Sequence, residues 1–287
     1  MNNTEPKTHQ HYVPRMYLKR WVHDSEKNNM LYVISPKLGD FEVHEKSYDD
    51  ELFYINFCYD VVSEDGELFT KNEVENHLDE YEKRHDRLLN RIIERCDKGQ
   101  DVLDKGTNRF EDFMEFVGLL TVRNPNNDIP LPTSSDSKIN SAQEMADLLN
   151  YLTSDVFKLT STKVISIANN KNMLFQMADQ FKKFHDISFE HVYFLEAPDG
   201  CAFITSDNPV ITTKKVFYLP ISPKYLAYIL YDDECKPSFS PNKPYVISKE
   251  CVDRFNRSYL RNDVFTLVGN NNTELADILN KSRWQNE

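Results

Sequence analysis

Apolar positions along this chain follow a helical spacing through the middle and a strand spacing after Phe189. Over residues 73–97, Val74, Leu78, Tyr81, Leu88, Leu89, Ile92, Ile93 and Cys96 form one stripe opposite a densely charged face. That pattern predicts a long amphipathic helix. A second helix is predicted over 108–122 from Phe110, Phe113, Met114, Val117 and Leu120, stopping at Arg123-Asn124-Pro125. Further helices are expected at 141–160 and 172–185, after a Pro-, Asn- and Ser-rich loop at 124–140.

From Phe189 the runs FEHVYFLEA and CAFITS read as strands, joined at Pro198-Asp199-Gly200 by a hairpin turn. VFYLP and YLAYILY extend the sheet, and a helix at 249–261, a strand VFTLVG and a helix from Thr273 follow. At the other end, Val13 before Pro14 predicts an extended arm from His9 to Val13. It feeds a short helix carrying Leu18, Trp21 and Val22. MLYVIS at 30–35 is expected to pair with FEV at 41–43 through a turn at Lys37–Asp40. The expected class is α+β: an antiparallel sheet flanked by helices, with a long helical middle segment. Residues 1–287 read as one domain, divisible at the 124–140 loop.

Charge changes the picture in one place. Of 46 acidic and 34 basic residues, 20 and 8 fall between Asp40 and Asp104, so this segment carries the whole net charge of −12. A broad basic footprint for nucleic acid is absent, and in a binding module the acidic segment 40–104 would engage a basic protein partner. No apolar run reaches membrane-spanning length and no signal-peptide pattern opens the chain, which predicts a cytoplasmic protein with no membrane contact. The five scattered cysteines form no C-x-x-C pair and read as buried thiols. Neither a glycine-rich phosphate loop nor a dinucleotide fingerprint occurs.

Four stretches carry a family signature: His11-Tyr12-Val13-Pro14 with Tyr17-Leu18 and Trp21; Arg123-Asn124-Pro125; Thr205-Ser206-Asp207-Asn208-Pro209; and Pro220-Ile221-Ser222-Pro223. Their order and spacing resemble the bacterial domain-of-unknown-function family numbered 4238, over roughly residues 9–270. The resemblance implies a bacterial origin, one compact unit and convergence of the four stretches in space. It supplies no reaction. A role in phage defence or as a toxin is suggested by the resemblance.

Candidate chemistry gathers on these stretches. On an extended arm His9 and His11 face the same way, so they can share a divalent metal with Asp207, or supply a base and a binding group. His11 precedes a helix start that carries Arg15 one turn in. Asp207 ends a predicted strand, where it can orient His11, act as a base or hold the metal; turn chemistry explains it equally. Arg123 can grip a phosphate or simply satisfy a helix C-terminus. Ser206 and Asn256 complete the expected binding set, with Asn256 and Arg261 on the late helix able to line the same cleft or simply to face water. Glu75 and Glu82 read as a solvated face. This set predicts a phosphoester hydrolase directed at a nucleotide or nucleic acid, with His11 and Asp207 catalytic. The alternative is a ligand- or protein-binding module without turnover.

Overall fold

The computed structural model describes residues 7–23, 29–56, 58–59, 73–103, 107–123, 191–213, 215–230, 243–260 and 264–280. The 124–140 loop, the helices expected at 141–160 and 172–185, Cys235 and Arg261 lie outside the described residues.

The fold is α+β. An arm strand β1 (His9–His11) leads into a one-turn helix α1 (Arg15–Leu18), continued by a 3-10 turn at Lys19–Trp21. Strands β2 (Met30–Ile34), β3 (His44–Ser47) and β4 (Tyr54–Asn56) come next. The two long helices, α2 (Glu73–Asp97) and α3 (Asn108–Val122), have the predicted bounds. The Thr107 hydroxyl caps α3 by accepting from the Phe110 amide. Six more strands follow: β5 (His191–Glu196), β6 (Thr205–Ser206), β7 (Ile211–Thr212), β8 (Val216–Pro220), β9 (Tyr225–Leu230) and β10 (Tyr245–Val246). Helix α4 (Lys249–Arg257), strand β11 (Leu267–Gly269) and helix α5 (Asn272–Asn280) complete the described chain. Among the described residues no helix is long and apolar enough to cross a membrane.

The strands form three sheets, ordered β10-β5-β9-β8-β7, β3-β2-β11-β6 and β1-β4. All pairings are antiparallel except β10 with β5. Two sequence expectations are corrected here. The Pro198-Asp199-Gly200 turn forms, with Gly200 at φ 78, but it does not close a hairpin. Strand β5 is already flanked by β9 and β10, so the chain after Gly200 crosses to the other sheet, where Thr205 faces Val268. Likewise FEV at 41–43 is not the partner of β2. A 3-10 turn at Pro36–Leu38, with Gly39 left-handed at φ 87, lengthens the connection, and the pairing starts at His44 opposite Val33.

The central strands β5, β8 and β9 of the five-stranded sheet are buried on both faces, which is why they read as nearly unbroken apolar runs. Val192 and Phe194 of β5, Phe217 and Leu219 of β8, and Tyr225, Ala227 and Ile229 of β9 join the main core with α2 and α3. Phe113 of α3 meets Phe194 at 6.1 Å between ring centroids. Leu195 and Leu226, pointing the other way, pack with Phe203 and Val252. Leu267 of β11 packs with Ile34, Leu275 and Ile278 beneath the second sheet.

One hub joins the arm to both sheets. The buried Tyr17 hydroxyl donates to the Pro220 carbonyl at 2.7 Å, which leaves it to accept from Thr205 Oγ1 at 2.6 Å. Trp21 Nε1 donates to the Phe203 carbonyl at 3.2 Å. Arg20 reaches α2, donating to Asp86 Oδ1 and Asn90 Oδ1, each at 3.0 Å.

Candidate functional site

Strand pairing sets the arm's geometry. His11 lies opposite Tyr54 and His9 opposite Asn56, so both imidazoles project from one face of β1. That face and the N-terminal half of α2 enclose a cleft of about 410 Å³. Its walls are Lys7, Thr8, His9, His11 and Arg15 on the arm side, and Glu75, Asp79 and Glu82 on the helix. Lys7 Nζ crosses it to Asp79 Oδ2 at 2.7 Å.

His11 is buried and serves Arg15. Arg15 Nε lies 3.4 Å from His11 Nε2 and 2.5 Å from Asp49 Oδ1. With Arg15 donating to it, Nε2 is the lone-pair nitrogen of a neutral ring. Burial, then the Arg15, Arg123 and His9 charges, push the His11 pKa down to about 3, against a hydrogen bond to the Tyr48 backbone. Asp49 stands 4.0 Å from the ring and does not offset this, because its carboxylate is engaged by Arg15. A base poised near neutrality is therefore not what His11 supplies; it orients a guanidinium. Arg15 spends its Nε on His11 and Asp49, while its Nη groups make no hydrogen bond among the described residues and stay available to an anion.

Glu75 is the group with the tuned acidity. It is only 9% exposed, and its Oε2 has no hydrogen-bond partner among the described residues. Burial raises its pKa to about 7; Glu82 and Asp79 add to the rise, and Arg123 and Lys7 oppose it. A carboxyl that exchanges its proton near neutral pH is the chemistry general acid–base catalysis requires. The sequence reading placed Glu75 and Glu82 on a solvated face. The signal was present in the spacing: positions 75, 78, 82, 85, 89, 92 and 96 repeat in steps of three and four, and Leu78, His85, Leu89, Ile92 and Cys96 on that line are buried. Both glutamates belong to the inward stripe.

Arg123 backs the cleft. Its Nη2 donates to the His11 carbonyl at 2.6 Å, Nη1 to Glu82 Oε1 at 2.7 Å and Nε to the Tyr59 hydroxyl at 2.9 Å. Burial disfavours the cation, but Tyr59, Glu82 and Glu75 outweigh that and hold the guanidinium charged. All three arms of the fork are committed to protein groups.

The other candidates lie elsewhere. Asp207 does not line the cleft; its Oδ1 accepts from the Phe265 and Thr266 amides, each at 3.1 Å, ahead of β11. Burial raises its pKa to about 6. Ser206 Oγ closes a local turn, donating to the Asn208 carbonyl and accepting from the Asn208 amide. Asn256 borders a small cleft of about 130 Å³ on α4, but its amide bridges the Ala202 carbonyl and the Ile204 amide. Thus His9, His11 and Arg15 share the site, Arg123 supports it, and Asp207, Ser206 and Asn256 bond to other parts of the fold. Among the described residues, no group of three or more His, Cys, Asp or Glu side chains is placed to hold a metal ion. Among the described residues of segment 40–104, Glu75 and Glu82 turn inward, and Lys83, Arg84, Arg87 and Arg91 stand on the exposed side of α2.

The four motif stretches do meet. Tyr17 of the first touches Thr205 of the third and Pro220 of the fourth, while Arg123 of the second holds the His11 carbonyl. No curated protein and no solved structure matches the chain. The family model described as "Protein of unknown function (DUF4238)" matches residues 9–271, and the chain belongs to that family.

Proposed function

We propose that the cleft between β1 and α2 is the active site of a phosphoester hydrolase. One observation carries the reading: an arginine whose Nη groups make no hydrogen bond among the described residues (Arg15) and a buried carboxyl with an unpaired Oε2 (Glu75) line the same cleft. Arg15 holds the phosphate and stabilises charge that builds on it. Glu75, protonated, gives its proton to the leaving alcohol oxygen as the P–O ester bond breaks. Water adds to phosphorus, and its surplus proton returns to the Glu75 carboxylate, leaving alcohol and inorganic phosphate. His11 positions Arg15, and Lys7 offers a second cation once it parts from Asp79.

The test is product analysis by mass spectrometry after incubating the protein with nucleotides, single- and double-stranded nucleic acids and transfer RNA, with and without divalent metals. Turnover that is lost in folded Glu75→Gln and Arg15→Ala variants supports the reading. No turnover under any condition sinks it and favours binding without reaction. That second reading draws support from the Lys7–Asp79 pair, which already neutralises part of the cleft.

A further inference from the structure

We propose that the ligand of this cleft is a nucleoside phosphate, its base stacked on His9 and its phosphate held by Arg15. The inference rests on the reading of the cleft as a phosphoester site and adds the substrate class.

The observation behind it is an aromatic pair at the cleft wall. The His9 ring lies 4.1 Å from the Tyr54 ring, centroid to centroid, with planes 15° apart. This is a diagonal cross-strand contact, since Tyr54 sits opposite His11 and His9 two residues further on. Tyr54 also touches the His11 ring at 5.5 Å, tilted by 55°. Tyr54 is half-buried and so fixes the plane of His9 from behind. His9 itself is exposed, and among the described residues no second ring covers its other face. An imidazole held flat with one face open is a stacking platform whose ordering cost is already met by the fold. Aromatic platforms of this kind accept nucleobases because every base presents a π-face.

The spacing suits one ligand. Two residues of strand, about 7 Å, separate His9 from His11. Arg15 Nε lies 3.4 Å from His11 Nε2. A ribose joins a base to a phosphate across a gap of that size. The cleft, about 410 Å³, lies within the range of roughly 300–1,000 Å³ usual for small-molecule sites. Glu75 stands on the opposite wall, where the ester oxygen between sugar and phosphate would meet it. A sugar phosphate or inorganic phosphate would use the Arg15 end alone and leave His9 idle. The stacked pair therefore discriminates a nucleotide from the other phosphates.

The experiment is calorimetric titration of the wild type and of Glu75→Gln with adenosine 5′-monophosphate, ribose 5-phosphate and inorganic phosphate. The nucleotide is expected to bind about five- to a hundred-fold more tightly than ribose 5-phosphate, the value of one stacked base. His9→Ala should bring the nucleotide down to the affinity of ribose 5-phosphate without changing the latter, and His9→Phe should restore the preference. Equal affinity for the two ligands, binding of neither, or equal loss of both in His9→Ala overturns the proposal. The two readings fail separately. A base preference without turnover removes the hydrolase and keeps the platform. Equal turnover of both ligands keeps the hydrolase and removes the platform.

Discussion

Arg123 Nη2 donates to the backbone carbonyl of His11 across 2.6 Å, so the last turn of α3 fixes the strand that carries the cleft's imidazoles. The contact is between side chain and main chain, and it holds the arm whatever ring sits at position 11. The same guanidinium neutralises Glu82. Its charge therefore sets the position of one wall and the electrostatics of the other.

Arg123→Ala would leave the Glu82 carboxylate without its partner, and the buried Tyr59 hydroxyl and His11 carbonyl with only each other. The expected cost is about 3–5 kcal/mol, read as a lower urea midpoint. Arg123→Lys should recover less than half of it, because one ammonium cannot serve three acceptors spread around a planar fork. Full recovery by lysine would show that charge alone matters here.

Stability should be flat with pH over an acidic interval and then collapse. His11 and His85 are each pushed down to about 3, by burial first and neighbouring arginines second. Below about pH 6.5 the unfolded chain takes up two protons that the folded chain refuses, so their contribution is full above 6.5 and lost as pH falls. Glu75 and Asp207 run the other way. Burial holds them up to about 7 and about 6, so their contribution is full below the ordinary carboxylate range and lost as pH rises through those values. The two pairs offset each other between about pH 6 and 4.5; a fall of about 1.4 kcal/mol per unit is expected from there to about pH 3.8, and about twice that slope down to about pH 3. Chemical denaturation at a series of pH values checks the shape.

Glu75→Gln removes one side of that balance. A slope of about 1.4 kcal/mol per unit should then appear between pH 4.5 and 6. At pH 8 the variant should be more stable than the wild type by on the order of 2 kcal/mol, since no buried charge forms. It should also lose turnover. A variant that gains stability and loses reaction together marks a residue kept for chemistry; one that loses stability at pH 8 would place Glu75 among the structural groups.

Asp207→Ala strips the Phe265 and Thr266 amides of their shared acceptor. The expected loss is about 2–4 kcal/mol. Ligand affinity at the cleft, measured well below the new melting point, should be unchanged. A selective loss of affinity would return Asp207 to the site.

Tyr17→Phe keeps the packing of a fully buried ring and deletes one hydroxyl. The Pro220 carbonyl and Thr205 hydroxyl lose their common partner, at about 1–3 kcal/mol in thermal or urea unfolding. A neutral outcome would mean that the two sheets are joined by packing alone.

The long helices were legible in the sequence because each lays its apolar stripe on one core, and their ends carry local signals such as Thr107 and Arg123-Asn124-Pro125. The partner of β6 was not. Pro198-Asp199-Gly200 encodes a turn, but whether a turn closes a hairpin depends on strands such as β9 and β10 that occupy the neighbouring edges. That His9, His11 and Arg15 line one cleft follows from their place on an extended arm and the helix after it. Glu75 was missed because a carboxylate in a charged helix reads as solvated until its line is followed down to Cys96. Asp207 drew attention by its motif, and its work there is to cap the backbone before β11.

The Tyr17 and Trp21 contacts span 182 to 203 residues of sequence. A ribosome releases the arm first and its anchors at Phe203, Thr205 and Pro220 much later. Until then the arm is held by β4 and Arg123, and α1 lacks the two sheets that Tyr17 and Trp21 bond to. Contacts this distant also make for slow folding, because the loop between them must close before any of them stabilises the fold.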